Sequence, residues 1–447
     1  MSTQVTRRIF VKNGGAAIAS IGLLPVLGPA FLRRAVFGAE PTAQSRKKTL
    51  ICIFQRGAAD GLSVVVPYGD PDLYRLRPTL AVPQPGQGAG AALDLNGFFG
   101  LHPALAPLLP IYKAGHMAAI HACGSPDTTR SHFDAQDYME SGTPGNKGVP
   151  DGWLSRAVLA CPEDRRNLQN PFRAVAIGGA MPRILQGDAN ALAIPDLRTF
   201  GVGASGAGAN LVRNRRGQAG QTPTMAAQGT ATVAGGFETM YDDAVGDVLH
   251  GTGKESFEAI GMLRKLNPGA YHPAPGANYP TTKYGESLKQ IAQLVKADVG
   301  LEVGLADMGG WDTHANQAGQ LTQRLREFGQ GLAALYTDLG DRMNDVVILT
   351  MSEFGRTARQ NGTGGTDHGH ATCFFALGGS VNGGKVLGDW PGLGEGKLND
   401  NRDLALTTDF RAVFAEVAQK HLGAQRLPKV FPGYTGDAQQ YRGVVRG

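Results

Sequence analysis

Acidic, imidazole and hydroxyl side chains collect in a few short stretches of this chain. The densest lies between Val346 and Gly379, where two apolar runs, Val346 to Thr350 and Cys373 to Leu377, flank a polar loop. That loop carries Ser352, Glu353, Arg356, Asp367, His368 and His370. Neutral imidazole and carboxylate are the usual protein ligands of zinc and similar divalent ions. Two histidines separated by Gly369 can turn toward one centre, because glycine permits tight turns. Asp312 and His314 form a second pair, and an Asp-x-His spacing places both side chains on the same side of an extended backbone. Asp60 stands in a third polar stretch, Gln55 to Gly61, where an aspartate before a glycine equally suits a turn. Thr128, Thr129 and Ser131 make a fourth. They precede an expected helix over 131–141, whose amino end would suit an oxyanion or could simply be capped by a hydroxyl.

These groups need elements to carry them. Thr49 to Phe54 reads as a buried first strand, Leu62 to Val66 as a second extended run, and Met117 to Cys123 and Phe172 to Ile177 as further strands. Ala297 to Ala306 is expected to be mainly extended. Leu321, Leu325, Phe328, Leu332 and Leu335 keep a 3.6-residue period, so 317–339 is expected to be one long helix. It joins two strands as a βαβ unit. Helices are also expected at 104–109, 153–161, 237–249, 254–265, 284–296 and 409–421, with a surface tail from Lys429. Apolar runs as short as those around the dense loop fit strands buried on both faces, as in a parallel sheet. The expected fold is α/β, a mainly parallel central sheet with helices on both faces. In such sheets ligands collect beyond the carboxyl ends of the strands, which is where Asp60, Asp312, His314, Glu353 and the His368/His370 pair fall.

The chain has 447 residues, 18% of them charged, with 64 glycines, enough for one large domain with insertions or for two. Arg7 and Arg8, followed by Phe10 and Lys12, precede a weakly apolar run from Ala16 to Phe31 broken by Pro25 and Pro29. This resembles a bacterial twin-arginine export signal covering 1–39, with cleavage near Ala39 and a periplasmic or extracellular destination. Membrane contact is then expected only during export, through the twin-arginine translocation machinery. The leader holds five basic residues and no acid; without it the 38 remaining Lys and Arg balance 38 Asp and Glu. The mature chain has no net bias toward nucleic acid, and the Arg213 to Arg216 cluster is too small to change that. Residues 197–236 read as a Gly-rich insertion into a single domain over 47–447. Cys52 and Cys373 read as core residues, while Cys123 and Cys161 could pair.

Several motifs together resemble a family of twin-arginine-exported bacterial proteins of unknown function related to the alkaline phosphatase and sulfatase superfamily. They are Arg56 to Leu62 (RGAADGL), Arg130 to Phe133 (RSHF), Gly310 to His314 (GWDTH), Ser352 to Thr357 (SEFGRT) and Thr366 to His370 (TDHGH). The resemblance implies an alkaline-phosphatase-like fold and hydrolysis of phosphate or sulfate esters, on a small molecule or a glycan. It implies one or two divalent ions (zinc, manganese or calcium) held by Asp60, Asp312, His314, Glu353 and His368 or His370. It also implies Ser131 or Thr129 as nucleophile, with Arg356 a further catalytic candidate. The sequence departs from the superfamily pattern at Glu353-Phe354-Gly355, where Asp-His-Gly is usual, and the spacing from Asp312 to His314 is short. Cys123 lacks the sulfatase Cys-x-Pro-x-Arg context, so formylglycine is not expected. An exported metal-binding or assembly protein without turnover is the competing reading.

Overall fold

Strand β1 (Thr49–Arg56) is buried along nearly its whole length, and its side chains alternate between two separate cores. Ile51 and Ile53 face one, Leu50, Cys52 and Phe54 the other, as a strand in the middle of a covered sheet must. The structure, a computed structural model, describes residues 47–162, 170–200 and 267–446. The export signal, the cleavage point, the basic cluster at 213–216, the helices expected at 237–249 and 254–265, and nearly all of the 197–236 insertion lie outside them.

The other described strands are β2 (Val65–Val66), β3 (Leu93–Asp94), β4 (Gly100–Leu101), β5 (Met117–Gly124), β6 (Ala174–Ile177), β7 (Ala191–Ile194), β8 (Val303–Gly309), β9 (Val346–Met351), β10 (Thr372–Gly378), β11 (Lys385–Leu387) and β12 (Thr408–Asp409). β2, β4 and β3 form a small antiparallel sheet. The main sheet has the order β11-β5-β10-β9-β1-β8-β6-β7, with β12 also on β5. The principal helices are α1 (His132–Ser141), α2 (Trp153–Leu159), α3 (Lys283–Lys296), α4 (Gln317–Leu339) and α5 (Phe410–Val417). α3 and α4 cover one face through Leu288, Ile291, Leu325, Phe328 and Leu332. α2 and α5 cover the other through Trp153, Leu154, Val413 and Phe414, with Trp153 stacked on Phe414 at 4.8 Å. The α/β expectation is met, with helices on both faces of a mainly parallel sheet.

β10 corrects one expectation. It is buried throughout, yet it runs antiparallel to both neighbours, β9 and β5. The polar loop simply turns the chain back beside β9, whereas a parallel return would need a full crossover. Every other described strand of the main sheet runs with β1. The loops after β1, β5, β8 and β9 therefore leave from the same edge. β8 and β9 are joined by α4 but pair with β1 on its two sides, not with each other.

Two smaller expectations change. Gly61–Val64 is a helical turn rather than the start of a strand, because the Asp60 carbonyl accepts the Ser63 and Val64 amides. A Cβ on Gly61 would lie 2.8 Å from the Cys373 amide nitrogen, so only glycine lets this turn lie against β10. The tail is not a surface appendage, since Val430, Phe431, Val444 and Val445 are buried and Val445 bridges to Val381. All four cysteines are buried and none is in a disulfide, so Cys123 and Cys161 are not bridged to each other.

Candidate metal centre

Three imidazoles and a carboxylate converge at that edge of the sheet. His132 is the first residue of α1, which follows the loop after β5. Asp312 and His314 lie just beyond β8, and His368 lies in the loop between β9 and β10. The approach of these loops is close: a Cβ on Gly57 would come within 2.7 Å of the Asp312 amide nitrogen. Ligating atoms of His132, Asp312 and His368 all lie within 4.8 Å of one another. His368 Nε2 is 3.0 Å from His132 Nε2 and 3.0 Å from His314 Nε2. The Asp312 carboxylate closes the group, 2.9 Å from His314 Nε2 and 3.4 Å from both His132 Nε2 and His368 Nε2.

The opposite side of each ring explains why the three face inward. His132 Nδ1 donates to Glu353 Oε1 at 2.8 Å, His314 Nδ1 to Asp367 Oδ1 at 2.9 Å, and His368 Nδ1 to the Arg130 carbonyl at 2.9 Å. A carbonyl or ionised carboxylate can only accept, so each Nδ1 carries a proton and each ring turns its Nε2 to the centre, where a ring without a second proton presents a lone pair. Anchoring one ring nitrogen to an oxygen while the other faces a cation is the usual arrangement of metal-binding histidines. Lone pairs 3.0 Å apart repel unless a cation or proton lies between them. The residues therefore fit a metal ion.

The charges fit too. Glu353 is fully buried and accepts from His132, the Gly57 amide and Gln136 at 2.8 Å each. Burial opposes its charge, but these bonds outweigh it and hold its pKa below the ordinary value. Burial also works against Asp312, and the Arg356 guanidinium, 2.5 Å away, more than offsets it, so its pKa too is lowered. The Asp367 pKa is lowered chiefly by its bond to His314. The Glu353 bond raises the His132 pKa against the effect of burial, whereas burial lowers that of His368. Two Nε2 atoms at 3.0 Å cannot both be protonated, and these directions make His368 the ring that stays neutral. Phe354 packs on both, its ring centroid 4.9 Å from His132 and 5.2 Å from His368.

Of the six expected ligands the structure brings Asp312, His314 and His368 together. Asp60 is turned elsewhere: Arg77 grips its carboxylate with two bonds of 2.6 and 2.9 Å, and Gln317 donates to it as well. Glu353 holds His132 from behind rather than facing the centre. His370 is turned to the Ser125 carbonyl at 2.8 Å, its Nδ1 buried without a partner. Ser131 caps α1, its Oγ accepting from the Asp134 amide, and Thr129 Oγ1 accepts from the Ser131 amide. Arg356 is buried and bonded to Asp312 and Thr366, so it fixes a carboxylate rather than opening toward solvent. Sequence reasoning passed over His132 as a member of the group and Asp367 as an anchor. The signal for His132 was a histidine at the start of a helix that follows a buried strand, within the RSHF stretch already noted.

The fold and the site together define a mainly parallel α/β protein with a His- and Asp-lined centre at the carboxyl edge of its sheet. Residues 274–430 match the model of a family described as protein of unknown function, DUF1501. That segment holds Asp312, His314, Glu353, Asp367 and His368 but not His132. No curated protein matches the chain. Among solved structures, the chain is similar to the PsFucS1 sulfatase from Pseudoalteromonas sp., with 14% identity, 98% of this chain and 76% of that chain covered and a TM-score of 0.37. It is similar to Ps i-CgsB, solved in complex with k-i-k-neocarrahexaose, with 10% identity, 85% and 73% covered and a TM-score of 0.36. It is also similar to the lipoteichoic acid synthase LtaP from Listeria monocytogenes, with 8% identity, 78% and 71% covered and a TM-score of 0.30. Likeness at that level assigns nothing to this chain, and its own side chains carry the reading.

Proposed function

We propose that the chain is an exported, metal-dependent hydrolase of phosphate or sulfate esters, working with one divalent cation. The observation that carries this reading is the convergence of three Nδ1-anchored imidazoles on Asp312. His132, His314, His368 and Asp312 would hold the ion, while Glu353, Asp367 and the Arg130 carbonyl fix the rings. A nitrogen-rich donor set favours zinc, fits manganese less well, and disfavours calcium, which takes oxygen ligands. Asp312 and His314 are 41% and 46% exposed, so an ester can reach the centre from solvent. A divalent cation supplies Lewis acidity, neutralising the anionic oxygens of an ester and making an attacking oxygen more acidic. Arg356 keeps Asp312 ionised and in place, and Phe354 keeps water from one side of His132 and His368. The attacking oxygen belongs to water or to Ser131, whose hydroxyl sits one residue before His132. The double-arginine leader supports export to the periplasm or beyond.

A second reading is an exported metal-binding or assembly protein without turnover. It is favoured by Phe354, an apolar residue packed on two of the rings where a second ion would need another ligand. Elemental analysis of the purified mature chain, with turnover of 4-nitrophenyl phosphate and 4-nitrophenyl sulfate, separates the two. About one equivalent of zinc with turnover abolished in His314→Ala supports the hydrolase. Bound zinc without turnover supports the second reading, and no metal uptake after reconstitution removes both. Loss of turnover in Ser131→Ala with metal retained assigns the nucleophile to Ser131; retained turnover assigns it to water.

A further inference from the structure

We infer that Asp403 is a positioning residue for His368, acting through Arg130 and Arg402; this rests on the metal-centre reading. Asp403 is completely buried, yet its Oδ2 accepts from Arg130 Nη2 at 2.7 Å, Arg130 Nε at 3.2 Å and Arg402 Nη1 at 3.4 Å. Both arginines then reach His368. The Arg130 carbonyl accepts the His368 Nδ1 proton at 2.9 Å, and Arg402 Nη2 donates to the His368 carbonyl at 2.9 Å. One carboxylate thus grips the histidine from its ring and from its backbone.

The local chain is built to present this clamp. Asp400 and Asn401 have φ of 50° and 53°, and the Arg402 amide donates to the Asn399 carbonyl at 2.9 Å. Two successive left-handed residues closed by such a bond make a tight hairpin turn, for which Asp and Asn are suited. Asn399 and Asp403 pair across it, and Asp403 also bridges to Thr357, next to the Arg356 that bridges to His368. The Ala358 amide donates to the Arg402 carbonyl at 3.0 Å, tying the turn to the β9–β10 loop. The second oxygen of Asp403, Oδ1, is buried and without a partner. A buried carboxylate placed like this costs stability unless its charge is used, and the two guanidiniums that steady His368 are what it holds. His368 is the only one of the three rings whose Nδ1 is anchored by a main-chain carbonyl rather than a carboxylate. Its orientation therefore depends on how well the Arg130 backbone is fixed.

The test uses the mature chain with ¹⁵N-labelled histidine, stripped of metal, and compares Asp403→Asn, Arg402→Ala and Asp400→Asn. Long-range ¹H–¹⁵N spectra should show the wild-type His368 in its Nδ1–H form. In D403N and R402A the ring should become a mixture of tautomers, and zinc or cobalt affinity should fall about ten-fold or more, the usual effect of losing an outer support. The D400N chain serves as control, because Asp400 is 64% exposed and touches only the Arg130 side of the network, so less than a two-fold change is expected. Retention of the Nδ1–H form and of metal affinity in both D403N and R402A overturns the inference. If D403N does not fold, R402A decides, since Arg402 is partly exposed. A wild type that takes up no cation but shows the tautomer change upholds the clamp and refutes the metal reading, so the two fail separately.

Discussion

Replacing Glu353 by glutamine removes one buried negative charge and leaves the local shape intact. Glu353 Oε1 accepts three N–H groups, and Oε2 faces Ser352 Oγ at 3.1 Å. A glutamine oxygen in the first position keeps all three donors. Its amide nitrogen in the second donates to Ser352 Oγ, which still has the Gln55 carbonyl at 2.8 Å as its own acceptor. What changes is the bond to His132 Nδ1, from charge-assisted to neutral. Hydrogen bonds to charged groups contribute about 1.5–3 kcal/mol and neutral ones about 1 kcal/mol, so the loss is about 1–2 kcal/mol. A second effect acts in the same direction: the carboxylate makes the His132 ring a better donor to a cation. The two together predict a 10- to 100-fold fall in zinc affinity, about 1.4–2.7 kcal/mol, with the fold retained. Competition against a fluorescent chelator measures this, beside Glu353→Ala, His132→Ala and thermal melting. If E353Q loses zinc as completely as H132A, Glu353 is itself a ligand, as the sequence led one to expect, and the geometry here is misread. If E353Q and E353A both bind as the wild type does, the anchoring argument fails.

Arg77→Met should cost about 3–5 kcal/mol of stability, because it strands the buried Asp60 carboxylate. Urea unfolding measures this, and a loss below about 1 kcal/mol would show the ion pair to be dispensable. Asp60→Asn should leave metal content unchanged, since that carboxylate faces Arg77 and not the imidazoles; loss of zinc with the fold intact would contradict the placement. Acid should destabilise the chain through His121 and His421, both buried and pushed down to about 4 from 6.5 by burial. His121 is held neutral by geometry, its Nδ1 accepting the Ala122 amide and its Nε2 donating to the Val65 carbonyl. The unfolded chain takes up these protons near pH 6.5 and the folded chain only near 4. Their stabilising effect is thus complete above about 6.5 and is lost as pH falls toward 4, at up to about 1.4 kcal/mol per unit for each histidine. Melting temperatures from pH 7 to 5 check this, with His121→Gln expected to flatten the slope; a wild-type curve already flat over that range would refute it.

The elements were legible where a period or a long apolar run fixed them. α4 follows from the spacing of Leu321, Leu325, Phe328, Leu332 and Leu335, all on its buried face, β1 and β9 follow from apolar runs, and β5 from a run broken only by His121. Strand direction was not legible, because the β10 run reads the same whichever way it enters the sheet. The chemistry-bearing residues were legible by type but not by role. A carboxylate beside a histidine can bind a metal or orient the ring, and no spacing distinguishes Glu353 from Asp312. The Asp60–Arg77 pair closes across 17 positions through a bend that carries no periodic signal. His368 and His370 are two residues apart, but His368 bridges to Arg356 whereas His370 turns to Ser125. His132 was in view within its motif and was eclipsed by the hydroxyls before it, which serve to start its helix.

The charge inventory at the centre bears on how many cations it can hold. Asp312, Glu353 and Asp367 contribute three negative charges, and Arg356 returns one positive charge through its bond to Asp312. On the proposed reading, an ion held by the three Nε2 atoms takes the place of a proton there, so each ligating imidazole counts as neutral. The nearby Arg130 and Arg402 are matched by Asp400 and Asp403. Two negative charges therefore remain, the charge that one divalent ion cancels. A second ion would leave the site cationic and would need ligands that the fold has committed elsewhere, Asp60 to Arg77 and Glu353 to His132. Releasing Asp60 would strand a fully buried guanidinium, a cost of several kcal/mol. On the proposed reading the three segments that bring His132, Asp312 with His314, and His368 together would suit a single cation, and Arg77 already fills the place of a positive partner for Asp60.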